Sequence, residues 1–196
     1  MSSTAIFLIV AAVLIIAAVV VAAVIYHQQQ TRRRHYLRER FGPEYDRLVA
    51  ATGSSRAAER ELEARAQRAA TFHIRSLSSD ERAGFATRWQ QVQAEFVDNP
   101  KLSLAHADEL LGEVMSARGY PVQDFEQRAA DLSVDHPVVV QHYRAAHGIA
   151  LRHRKGETTT EDLRQAMIHY RALFQELVSD VALATPLHAP VPHAAE

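Results

Sequence analysis

A chain of 196 residues with a formal net charge of -1 and no cysteine holds one domain plus extras. The missing cysteine excludes disulfides, thiolate metal sites and a cysteine nucleophile. The charge is unevenly spread. Residues 1–26 carry none, residues 27–40 carry five arginines against Glu39 for a net +4, and the remainder therefore holds -5. A mildly acidic domain is a poor match for nucleic acid, so none is expected as a partner. Arginine far outnumbers lysine (only Lys101 and Lys155), and alanine is abundant, which points to a GC-rich bacterial source.

Residues 1–4 form a short N-terminus. Ala5 to Tyr26 is an unbroken apolar run that, as a helix, spans about 33 Å, enough for a hydrocarbon core of about 30 Å. Tyr26 stands where an interfacial aromatic belongs. A cleaved signal peptide fits worse, because no basic residue precedes the run and no small-x-small site follows it. The basic collar at 27–40 places the N-terminus outside and the C-terminal part in the cytoplasm of a bacterial inner or plasma membrane. Arg32, Arg33, Arg34, Arg38 and Arg40 are candidates for contact with anionic headgroups, though setting the topology alone accounts for them.

After the collar, Gly42-Pro43 ends one helix and starts another, from Glu44 to Ala51. Ser54 or Ser55 caps a helix running to about Ala70. That helix is charged, with Leu62 its only large apolar residue, so residues 41–77 read as an exposed stalk or one side of a loose coiled coil. Ser78 and Glu81 match a capping box, followed by Phe85, Trp89, Val92 and Phe96 on one stripe. Asp98-Asn99-Pro100 separates this helix from one lined by Leu104, Ala107, Leu111, Val114 and Met115, which Gly119 closes. Tyr120-Pro121 opens a short helix with Phe125, Ala129 and Leu132 inward. Asp135 is placed to cap the next, from Pro137 to about Arg154. Thr158 and Glu161 suggest a second capping box. The last helix, Leu163 to Val181, has the clearest 3.6-residue period, and residues 185–196 read as a disordered tail. The expected class is all-α: one N-terminal transmembrane helix plus a small helical bundle at 78–184, with no sheet.

The stretches Arg40-Phe41-Gly42-Pro43-Glu44-Tyr45-Asp46-Arg47, Val92 to Asp98, Asp124 to Pro137, Glu161 to Met167 and His169-Tyr170-Arg171 together resemble a family of bacterial proteins called hypothetical, membrane or secreted. The likeness covers roughly residues 40–178. It implies a membrane-tethered domain and transfers no activity and no catalytic residue.

The residues themselves offer few chemical constellations. Eleven histidines invite a metal, but His142 and His147 are five apart, about 140° around a helix, and His136 and His147 stand about 16 Å apart along one. No metal and no cofactor are expected. His147 falls in an apolar arc, as a hydrogen-bonded core histidine or as a general base. Asp131, Asp135 and His136 form the densest polar cluster, either an acid/base group beside a pocket or a helix cap with an ion pair from Asp131 to Arg128 or another basic residue. There is no G-x-S-x-G, G-x-G-x-x-G or G-x-x-x-x-G-K. The leading expectation is a non-enzymatic, membrane-tethered module binding a protein partner or itself. The rival is a small-molecule-binding or hydrolytic domain with a site at Asp131, Asp135, His136, His147 and Tyr143.

Overall fold

The apolar run and the collar form one uninterrupted helix, α1, Ser3–Phe41, of 39 residues. The computed structural model describes the backbone of residues 3–121 and 123–179 and the side chains of 14–121 and 123–179. The expected tail at 185–196, and Val181 and the rest of 180–184, lie outside these residues. With no Gly or Pro to break it, α1 extends for about 58 Å and is long and apolar enough to cross a membrane. Its side chains from Leu14 to Gln29 are exposed.

Gly42, with φ of 46°, lets the chain turn where an L side chain would be strained. Helices α2, Pro43–Thr52, and α3, Ser55–Ala69, follow, with Ser54 capping α3 through the Ala57 amide. These helices do not form an exposed stalk. Leu37 and Phe41 of α1 join Tyr45, Leu48, Ala58, Leu62 and Val134 in a closed core, where Leu62 and Phe41 are 0% exposed. The composition misleads because α3 buries charge beside its single leucine. Glu59 is buried between Arg34, at 3.0 Å, and the Tyr45 hydroxyl, at 3.2 Å.

The larger core lies in five helices: α4, Ser79–Asp98; α5, Pro100–Ala117; α6, Phe125–Asp135; α7, Val139–Arg154; and α8, Thr160–Ser179. Ser78 caps α4 in a reciprocal capping box with Glu81, an arrangement worth about 1 kcal/mol. Trp89 stacks on Phe174 at 4.7 Å between ring centroids and joins α4 to α8. Leu104, Ala107, Leu110, Leu111, Val114 and Met115 of α5 face Leu163, Ala166, Met167, Tyr170 and Leu173 of α8 within the same core. All described residues outside turns and links are helical, with no strand among them.

The link between α3 and α4 is held down, not free. The Arg75 amide donates to the Arg118 carbonyl at 2.9 Å, and Leu77 is buried. The end of α5 is a Schellman turn: the Tyr120 amide reaches Met115 O at 3.0 Å and the Gly119 amide reaches Ser116 O at 2.9 Å. Gly119, at φ 95°, presses against this link, since a Cβ there would stand 2.3 Å from the His73 carbonyl oxygen.

Three caps fall elsewhere than the sequence suggests. Tyr120-Pro121 does not open α6; Asp124 caps it by accepting from the Gln127 amide at 3.0 Å. Asp135 does not cap α7; the residue at its N-cap position is Val138, which makes no side-chain cap. Asp135 is instead the last residue of α6. The cap of α8 is shifted by one residue: the Asp162 amide donates to the Thr159 hydroxyl at 3.2 Å and the Thr159 amide to the Asp162 carboxylate at 2.8 Å. Thr158 is taken up by His153, 2.6 Å away.

Candidate functional site

The residues singled out by sequence are distributed among three separate environments. Asp131, on α6, is 1% exposed and faces α3. Its carboxylate pairs with Arg68 at 3.2 Å and accepts from Gln127 Nε2 at 2.9 Å. Burial raises its pKa from the ordinary aspartate value, against the opposing pull of Gln127, Arg68 and Arg65. Of the expected partners, Arg128 or another basic residue, it is the second kind, Arg68, that pairs with Asp131, while Arg128 turns to Asp108. The Asp131–Arg68 pair thus joins the small core to the bundle, as does the buried Glu44 of α2, which meets Arg47 and, at 3.2 Å, Arg144 of α7. A buried carboxylate so paired avoids the cost of an isolated charge, and both fix how two elements meet.

Asp135 is exposed and accepts the Tyr120 hydroxyl proton donor at 3.1 Å. Its sequence neighbour His136 is 3% exposed, with Nδ1 3.2 Å from Glu176 of α8. Nε2 of His136 is buried without a hydrogen-bond partner. Burial lowers the His136 pKa, outweighing Glu176, which favours the charged ring. His147, one face of α7 further on, lies flat on Phe125 at 3.5 Å between centroids. Burial lowers its pKa too. Tyr143 is fully buried, beneath Arg128 at 5.7 Å and against Phe125; burial pushes its phenol pKa upward.

A groove of about 390 Å³ lies elsewhere, between α4 and α5, lined by Arg88, Gln91, Val92, Glu95, His106, Glu109 and Leu110. Asp131, Asp135, His136, His147 and Tyr143 are all absent from its wall. Within it His106 Nδ1 stands 2.7 Å from Glu95, and Arg88 pairs with Glu113 at its rim. A carboxylate–imidazole pair is the orienting half of a base dyad. No serine or threonine lines this groove, so no side-chain hydroxyl stands there for the imidazole to activate as a nucleophile. Among the described residues no group of three or more His, Asp or Glu is arranged to hold a metal ion.

The collar arginines are mostly committed to protein. Arg33 pairs with Glu63 and Arg34 with Glu59 of α3, Arg38 meets Asp46 of α2 at 2.7 Å, and Arg40 donates to the Tyr36 hydroxyl at 2.9 Å. The collar therefore docks α2 and α3 on α1, a role invisible in a pattern of like charges. A second pairing that sequence reasoning missed is His142 with His169, whose Nδ1 atoms are 2.9 Å apart across α7 and α8. Only the shared period of the two helices could have hinted at it. No family model, curated protein or solved structure matches this chain.

Proposed function

We propose that this chain is a single-pass protein of a bacterial inner or plasma membrane, anchored by residues 5–26, with its N-terminus outside and its helical domain in the cytoplasm. We propose further that the domain is a non-enzymatic module that binds another protein or a second copy of itself, in kinship with the bacterial membrane and secreted family that its motifs resemble. The observation that carries this reading is the continuity of α1. The same helix that is apolar enough to cross a bilayer supplies Leu37 and Phe41 to a closed core. A domain held in this way is presented at a fixed attitude to the membrane, which suits docking. The dispersal of Asp131, Asp135, His136 and His147 into helix seams supports the same reading, because catalysis requires acid, base and substrate within hydrogen-bond reach.

The test is a pull-down of the tagged full-length protein from gently solubilised native membranes, with α1 alone as control, alongside activity reporters fused after Glu196. A partner or second copy retained by residues 41–196, with a reporter active in the cytoplasm, is the expected result. A reporter active only outside overturns the orientation. A monomeric protein that retains nothing beyond the α1 control overturns the docking role.

A further inference from the structure

Helices α7 and α8 run antiparallel. His136, at the C-terminal end of α6, faces Glu176 of α8, and six residues later His142 of α7 faces His169. Most of the seam between them is apolar, with Val140, Tyr143 and Ala146 against Ala166, Tyr170 and Leu173. The two imidazoles of the His142–His169 pair meet head on. Their Nδ1 atoms stand 2.9 Å apart and their centroids 5.2 Å apart, and the difference is the width of about one five-membered ring, so each nitrogen points at the other. That is the geometry of one N–H donating to one bare nitrogen. A shared metal ion would instead need both lone pairs to converge on a point off the line between them.

We propose that the His142–His169 contact is an acid-sensitive clasp on the α7–α8 seam, closed while the pair shares one Nδ1 proton and opened when both rings are charged. A neutral imidazole carries one N–H and one bare nitrogen, so the neutral pair closes the clasp. The first added proton keeps it closed, as a charged ring donating to a neutral one. The second leaves two N–H groups and two positive charges face to face at hydrogen-bond distance.

Among the described residues no carboxylate is hydrogen-bonded or ion-paired to either ring. One turn away on α7 stand Val138, Val139, Ala145 and Ala146, and one turn away on α8 stand Gln165, Ala166, Ala172 and Leu173, all uncharged. Glu176, the acid on this face of α8, is engaged by His136. Glu126 of α6 is engaged by Arg144, and Asp108 of α5 lies with Arg128 and Tyr170. The pKa of His169 is lowered first by burial and then by His142. The sign follows. A histidine that binds its proton less tightly in the folded chain gives full stability above its unfolded pKa of about 6.5, and the folded state loses stability as pH falls below it.

The experiment uses the full-length protein in non-ionic detergent, its thermal midpoint followed by helical circular dichroism at about pH 7.5 and about pH 5. His169→Asn keeps a hydrogen-bonding group toward His142 and cannot take the second proton. The wild-type midpoint should fall by about 5 °C more than that of His169→Asn over this interval; His136 is present in both and cancels. Equal falls in the two proteins overturn the proposal. Should His169→Asn fail to fold, nitrogen-15 titration of the wild-type imidazoles decides the matter. The pair should titrate in two separated steps, and two independent single titrations near 6.5 overturn it.

Discussion

Leu62→Ala separates a packed second core from a solvated stalk. Leu62 is 0% exposed on α3 and shares its cluster with Leu37, Phe41, Tyr45, Leu48, Ala58 and Val134. Truncating a fully buried leucine removes its transfer free energy and leaves a cavity, together about 2–5 kcal/mol. The lower half of that range is the better estimate here, because the cluster is small and borders Ala58 and Ala66, around which α3 has room to settle. About 3 kcal/mol corresponds to a fall of roughly 6–12 °C in the midpoint of a domain of this size. The assay is thermal or urea unfolding of the full chain in detergent, with Arg60→Ala, exposed on the same helix, as the control expected to stay within about 0.5 kcal/mol. A Leu62→Ala protein that matches the Arg60→Ala control would refute the second core and restore α3 as an exposed stalk.

Arg68→Ala removes the guanidinium facing the buried Asp131. The arginine is itself about one-third exposed, so the expected loss is only about 1–2 kcal/mol at neutral pH by chemical unfolding. Because the folded pKa of Asp131 is raised, the folded chain gains stability as pH falls through that value toward about 3.9. The penalty of Arg68→Ala should therefore shrink in acid, and a penalty independent of pH would contradict the pairing. Gly119→Ala meets both a φ of 95° and the His73 carbonyl at 2.3 Å. A loss of at least about 2 kcal/mol is expected on the same measurement, whereas Gly84→Ala, which meets open space within α4, should be neutral or better.

Local signals were legible where a residue's partner lies within one turn. The Ser78–Glu81 box, the Trp89 and Val92 stripe and the periodic face of α8 all read directly, because the physics that sets them spans three or four residues. The failures occur where the deciding partner is distant. Leu62 looked stranded because Leu37 and Phe41 belong to a helix whose other half is apolar for a different reason. Asp135 looked like a cap because it precedes Pro137, and nothing local announces the Tyr120 hydroxyl fifteen residues earlier. Asp131 has a partner of the expected type, a guanidinium, but it comes from Arg68, while Arg128 is drawn to Asp108 across the space left by Gly112. The expected cap at Thr158 slipped to Thr159 because three consecutive threonines offer nearly equal choices, and His153 claims the first.

The join between α1 and the rest of the chain limits how the domain can move. A domain that swings freely on α1 needs a flexible joint beyond the apolar run, and the backbone has none between Ser3 and Phe41. Its first break, Gly42, lies beyond Leu37 and Phe41, which are already inside the small core, and beyond Arg33 and Arg34, which are already paired to α3. That core is fastened to the bundle by apolar contact at Val134, by Asp131 with Arg68 and by Glu44 with Arg144. A rotation or tilt of α1 therefore has to carry α2 and α3 with it, or else break buried ion pairs whose separation leaves uncompensated charge. The elements that such a motion reaches first beyond the small core are α6 and α7. Since α7 carries one half of the His142–His169 pair, the seam where acid would act lies one helix away from the element that is long and apolar enough to cross a membrane.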